Sequence, residues 1–190
     1  MQPQWEVCGE AIDGRAAVQA VCALRPDVVI MDVGMKVLNG LDATRDVRRL
    51  HPSCRVLVLS MHESEQMVSE AMAAGASGYV LKSDFGRDLI SAIEAVIAGR
   101  QFFSPGLSAS ARLNAWDIRI RKPGSSELTR REREIVQLLT EGMSNKAVAS
   151  HLEISVKTVE THRARSMRKL NFKSFAELVR YALRNHIAQP

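Results

Sequence analysis

Cysteine is scarce in this 190-residue chain. The three present, Cys8, Cys22 and Cys54, stand far apart, and none belongs to a Cys-x-x-Cys pair. An odd, scattered set excludes a disulfide framework and lacks the ligand spacing of a zinc site, so it predicts reduced thiols packed as core residues. Long apolar runs are also missing. No uninterrupted stretch approaches the roughly 18 residues needed for a membrane span. The opening Met1-Gln2-Pro3-Gln4-Trp5-Glu6 has no basic cluster followed by an apolar stretch, which predicts no secretory leader and a cytoplasmic protein without membrane association.

What the chain does have is an ordinary globular balance, 46% hydrophobic and 25% charged residues, enough to pack a core. Its length suits one large domain or two small ones. The net charge of +5 is unevenly placed. Residues 1–124 carry 14 basic and 14 acidic groups, and residues 125–190 carry the other 12 basic and 7 acidic groups, so the second part holds all of the excess. A neutral part joined to a small basic part points to a polyanionic partner for the latter.

The first part alternates strand-like and helix-like segments. Residues 6–11 are expected as a short strand and 13–24 as a helix with apolar positions at 17, 18, 21 and 24. Val28-Val29-Ile30-Met31, ending in Asp32, reads as a strand buried on both faces. Asn39-Gly40 is a turn signal before a helix over 41–50. Further strands are expected at 55–60 and 78–82, and further helices at 64–74 and 84–98, closed by Gly75 and Gly99. This rhythm predicts an α/β doubly wound parallel sheet, covered by helices on both faces. The boundaries expected are 1–99 for the first domain, 100–124 for a linker rich in Pro, Gly and Ser with some helix near 108–116, and 125–190 for the second domain.

The last segment reads as an all-α domain of four helices. Thr129-Arg130-Arg131-Glu132 and Ser174-Phe175-Ala176-Glu177 fit capping boxes, Ser144 and Ser155 are expected to start the two middle helices, and Asn171 fits a left-handed cap. Helix, short turn at Glu153-Ile154, and helix again make a helix-turn-helix, whose second helix enters the major groove. On that helix Val156, Val159, Met167 and Leu170 are expected inward. Lys157, Glu160, Thr161, Ala164, Arg165 and Arg168 recur at three- and four-residue steps on the outward side, with Lys169 beside them.

In the first part, Asp32, Ser60 and Lys82 all end strands. Parallel strands place their C-terminal ends on one rim, so a carboxylate, a hydroxyl and an ammonium should converge there. A carboxylate can attack phosphorus to give an aspartyl phosphate, whose oxygens the ammonium and hydroxyl can pair with. An aspartyl-nucleophile phosphohydrolase would use comparable chemistry but places a second aspartate two residues after the first. That position is Gly34, which argues against an enzyme.

The residues 31–40, Leu57-Val58-Leu59-Ser60-Met61 and the segment 74–82 resemble the receiver domains of two-component response regulators. The resemblance implies a flavodoxin-like fold with Asp32 as phospho-acceptor, Ser60 as switch hydroxyl, Tyr79 as switch aromatic, Lys82 as phosphate partner and the Gly34 carbonyl as a Mg²⁺ ligand beside Asp32. Two features depart from the pattern. Lys36 stands where the family usually has proline, and the family's first strand, with its acidic pair, and first helix have no counterpart, so either the true start lies upstream or the receiver is N-terminally truncated, and with these residues alone its Mg²⁺ site is expected to be deficient. The segment from Leu128 to Ile187, with Glu141-Gly142-Met143-Ser144-Asn145-Lys146 and residues 154–162, is similar to the LuxR/FixJ-type (NarL-like) helix-turn-helix. By that resemblance Glu160, Thr161 and Ala164 face base edges, while Ser144, Asn145, Lys146, Lys157, Thr158, Arg165 and Lys169 meet phosphates. His162 is expected to pack rather than touch bases, and Ser166 stands where the family usually has isoleucine. Taken together, the resemblances imply a transcriptional regulator of double-stranded DNA, a sensor histidine kinase as partner, and a homodimer on DNA.

Overall fold

Strand-forming β-branched runs and amphipathic helical segments alternate in the first part of the chain, and the structure, a computed structural model, turns that alternation into a parallel sheet. It describes residues 5–112 and 128–188. Helix α1 (Gly14–Leu24) precedes strand β1 (Val28–Asp32), followed by α2 (Gly40–Leu50), β2 (Arg55–Ser60), α3 (Glu65–Ala73), β3 (Gly78–Leu81), a 3₁₀ turn over Lys82–Asp84, α4 (Phe85–Ile97) and β4 (Phe102–Phe103). The strands pair in parallel in the order β1-β2-β3-β4. Asp13 and Ser64 start α1 and α3 by accepting the free N–H groups of Ala16 and Met67. On one face of the sheet Leu57 and Val80 meet Ala92 and Val96 of α4. Val56, Val58 and Tyr79 alternate onto the other face and are fully buried, with α2 and α3 packed along these strands.

Four expectations are corrected. Residues 5–11 form no strand, because no neighbouring strand supplies a ladder for them. For the same reason β1 is an edge strand and is not buried on both faces: Met31 is buried but Ile30 is 42% exposed. Only Cys54 of the three cysteines is buried; Cys8 and Cys22 are exposed. Residues 100–112, expected as linker, continue the first packing unit. Phe102–Phe103 pair with β3, the buried Ser104 hydroxyl accepts the Leu81 N–H at 3.0 Å, and Leu107 and Ala111 are buried. A helical turn starts at Ala109, and the rest of the helix expected near 108–116 lies outside the described residues.

The second part contains α5 (Arg130–Thr140), α6 (Asn145–His151), α7 (Val156–Lys169) and α8 (Phe175–Arg184). Helix α5 is central. Its Val136 side packs with Leu128, Leu170, Leu178, Ala182 and Ile187, while Ile135, Leu138 and Leu139 pack with Val148, Ala149, Leu152 and Val159. Both capping boxes form, at Thr129/Glu132 and Ser174/Glu177, and Ser144 and Ser155 cap α6 and α7. Glu153 and Asn171 take left-handed backbone at the two turns flanking α7. One inward expectation fails: Val156, in the first turn of α7, is 39% exposed, and Ser166 is fully buried instead, its hydroxyl donating to the His162 carbonyl at 2.9 Å.

An apolar edge strand without a charged guard invites pairing with another chain. Ile30→Lys should lower self-association at high protein concentration, read by light scattering, while leaving the unfolding free energy within about 0.5 kcal/mol of the parent.

Candidate phosphorylation site and nucleic-acid interface

Parallel register brings the strand ends of the first unit together. Asp32 pairs with Leu59 and Ser60 with Leu81, so Asp32, Ser60 and Lys82 close three neighbouring strands on one rim. Lys82 donates from Nζ to Asp32 Oδ2 at 2.6 Å, and the two side chains are 35% and 36% exposed. The second oxygen, Oδ1, accepts the Gly34 backbone N–H at 3.0 Å. The carboxylate is therefore fixed from both sides yet reachable from solvent, which suits a nucleophile toward an incoming phosphoryl group.

Ser60 and Tyr79 join a second linkage. The buried Ser60 hydroxyl accepts the His62 N–H at 3.0 Å, and the Tyr79 hydroxyl donates to the His62 carbonyl at 2.7 Å. Burial pushes the Tyr79 phenol up to about 12, opposed by a hydrogen bond from Ser60, so it stays a neutral donor through the physiological range. The structure thus unites Asp32 with Lys82, and ties Ser60 to Tyr79 through the loop after β2. His62 escapes sequence reading because it acts through its backbone. Gly40 also matters beyond its role in the turn. A Cβ there would lie 1.9 Å from the Asp32 carbonyl oxygen, so only glycine lets α2 start this close to the end of β1.

Mg²⁺ asks for a near-octahedral set of oxygens. Here Lys82 holds Asp32 Oδ2, and among the described residues no group of three His, Cys, Asp or Glu side chains could hold a metal ion. The residues present do not fit the ion.

In the second unit the outward face of α7 carries Lys157, Glu160, Thr161, Ala164, Arg165 and Arg168, all exposed. Thr161 Oγ1 donates to the Lys157 carbonyl at 2.8 Å, leaving its methyl outward-capable, and Thr158 Oγ1 lies 2.8 Å from Ser155 Oγ. Ser144 spends its hydroxyl as the cap of α6, Asn145 is half-buried beside it, and Lys146 is exposed. His162 is half-buried, and its buried Nδ1 has no hydrogen-bond partner among the described residues. Arg163 lies over the Phe175 ring at 5.0 Å, tying α7 to α8. Lys169 differs from the others: its ammonium is 2.6 Å from Glu132 Oε2. Burial pushes the Glu132 carboxyl up, but hydrogen bonds from Lys169 and Thr129 outweigh it and hold it below the usual range. Glu132 was legible as a capping-box partner, whereas its pairing with Lys169 spans 37 residues and leaves no local signal.

A parallel α/β unit with an aspartate and a lysine at its rim, joined to a helix-turn-helix with a basic reading face, defines a response regulator. Residues 2–94 match the model of the response regulator receiver domain, and residues 126–182 match that of the bacterial regulatory proteins of the luxR family. The chain is 39% identical to the transcriptional regulatory protein MctR of Rhizobium johnstonii, over 94% of this chain and 81% of the relative. It is 35% identical to the transcriptional regulatory protein DegU of Brevibacillus brevis, over 97% and 85%. Among solved structures it is similar to the RcsB response regulator of Salmonella typhimurium, with 26% identity, TM-score 0.60, and coverage of 97% of this chain and 87% of that one. The chain belongs to the response regulators with a luxR-type helix-turn-helix, a family of non-enzymatic transcriptional regulators whose receivers generally use Mg²⁺ at the phosphorylation site. No helix among the described residues is long and apolar enough to cross a membrane.

The close approach at Gly40 gives a test of the rim geometry. Gly40→Ala should destabilise the first unit by about 3 kcal/mol through overpacking against the Asp32 backbone. Urea unfolding measures this; a loss under about 0.5 kcal/mol would show that the contact relaxes freely.

Proposed function

We propose that this chain is a cytoplasmic, sequence-specific regulator of transcription that binds double-stranded DNA through α7 as a homodimer, under control of its receiver by a sensor histidine kinase or by a binding partner. The observation that carries the reading is the outward face of α7, where a carboxylate, a threonine and a small alanine occupy the middle and basic groups lie around them. Groove geometry places the middle residues of such a helix over base edges and the flanking cations near phosphates. Glu160, Thr161 and Ala164 are the base-facing set. Ser144, Asn145, Lys146, Lys157, Thr158 and Arg165 surround the groove as backbone contacts, and residues 125–190 form the DNA-binding domain. Solved RcsB structures include a complex with the rprA promoter, aligned to this chain with 26% identity and TM-score 0.56 over 95% of this chain and 87% of that one. That likeness supports duplex DNA as the ligand.

In the receiver, Asp32 is the phospho-acceptor, Lys82 the cation freed to pair with the phosphoryl oxygens, and Ser60 and Tyr79 the hydroxyl and ring that respond. Because the carboxylates of a Mg²⁺ site are missing from the described rim, acceptance of phosphate should be poor. Intact-mass measurement after treatment with a small phosphodonor and Mg²⁺ should find only a minor fraction labelled; ready stoichiometric labelling of Asp32 would count against this reading.

The DNA interface is tested by two substitutions that should differ in kind. Glu160→Ala removes an acceptor for cytosine N4 and should relax discrimination at one base pair by roughly 1–3 kcal/mol. Lys157→Ala should weaken all duplexes alike and reduce the slope of log affinity against log salt by about one unit. Binding-site selection at fixed salt, with affinities repeated across salt concentrations, separates the two. A Glu160→Ala protein that loses affinity uniformly, without a change of preference, would show that α7 is misplaced in the groove.

A further inference from the structure

The exposed cations of α7 are not equivalent. Lys157, Arg165 and Arg168 make no ion pair among the described residues, whereas Lys169 at the end of the helix holds Glu132 at 2.6 Å. The Glu132 side chain is only 4% exposed, and its Oε2 also accepts the Thr129 backbone N–H at 2.7 Å, while Thr129 Oγ1 accepts the Glu132 N–H at 3.3 Å. One nearly buried carboxylate thus serves two elements: it closes the capping box of α5 and anchors the C-terminal end of α7. Pulling Lys169 away to meet a phosphate would leave that nearly buried carboxylate without its cation, an unfavourable arrangement.

We propose that Lys169 is a positioning residue for DNA reading, which sets the pitch of α7 on α5 through Glu132 and makes no phosphate contact itself. The proposal rests on the reading of α7 as the groove helix and reassigns one member of the set that the family resemblance gave to phosphates. At its other end α7 is fixed by the Ser155 cap and by Val159, which is buried against α5 and α6. The two ends determine the direction of the helix, and an error of direction displaces Glu160, Thr161 and Arg165 together. Loss of the Lys169 anchor therefore weakens binding without removing a counterion-releasing contact.

The test compares Lys169→Met, Lys169→Arg, Glu132→Gln and the double variant Glu132→Gln/Lys169→Met in the full chain, with circular dichroism confirming that each is folded. Affinity for a selected duplex is measured across salt concentrations. The expected result is that Lys169→Met loses about tenfold in affinity, with its salt slope within about 0.3 of the parent. Lys169→Arg restores most of the affinity, Glu132→Gln reproduces the loss although its carboxylate is shielded from the groove, and the double variant is no worse than the worse single one. A salt slope that falls by about one unit in Lys169→Met, together with parental affinity in Glu132→Gln, would overturn the proposal in favour of a phosphate contact. Additive losses in the double variant would overturn it too. If the parent itself shows no salt-dependent duplex binding, the functional reading fails and this proposal with it; the ion pair is then judged separately by whether the thermal destabilisations of the two single variants are non-additive.

Discussion

Parallel strand pairing is the constraint on which the receiver depends. Antiparallel strands would scatter Asp32, Ser60 and Lys82 between opposite ends of a sheet. Here the ladder sets Asp32 against Leu59 and Ser60 against Leu81, so every strand releases its last side chain on the same rim. The connections impose that direction, since each strand returns through a helix. The helices in turn require tight starts, and Gly40 allows α2 to begin against the Asp32 carbonyl. A one-residue slip would turn Asp32 into the layer that Met31 fills, and the carboxylate would lose both Lys82 and the solvent.

The helix-turn-helix unit is built on a different economy. Its helices are short, 7 to 14 residues, lengths that are marginal in isolation. Four side-chain caps satisfy free N–H groups at the helix starts, each contributing about 1 kcal/mol, and two apolar clusters on either side of α5 supply the rest. Because the caps and clusters occupy the inner faces, the outer face of α7 is left free of packing duties and can be all recognition.

Local patterns made most of this legible in the sequence. The β-branched runs gave β1 and β2, serine and threonine followed by glutamate gave both capping boxes, and ordered strand-end residues marked the rim. What escaped was set by partners distant in sequence. Residues 6–11 have strand-like composition, yet a strand exists only with a neighbour, and none of the described strands lies beside them. Burial of β1 was overestimated for the same reason, since periodicity cannot tell a central strand from an edge. Phe102–Phe103 looked like the approach to a linker because a two-residue strand is too short for any periodic signal. In the second unit, the outward face of α7 followed from three- and four-residue spacing, but the Lys169–Glu132 pair joins two helices and obeys no local rule.

Regulation in such a chain is bounded by the energies available at the rim. Asp32 and Lys82 are each about one-third exposed, so their ion pair is worth about 1 kcal/mol or less after solvent screening. Any event at Asp32 that merely breaks this pair can shift a conformational equilibrium by no more than about fivefold. Larger control needs a second differential contact, and the linkage of Ser60 and Tyr79 through the His62 backbone lies beside the rim, with both side chains buried. A break of the Asp32–Lys82 pair alone is therefore too small a lever, and any larger shift must also involve groups beyond that pair.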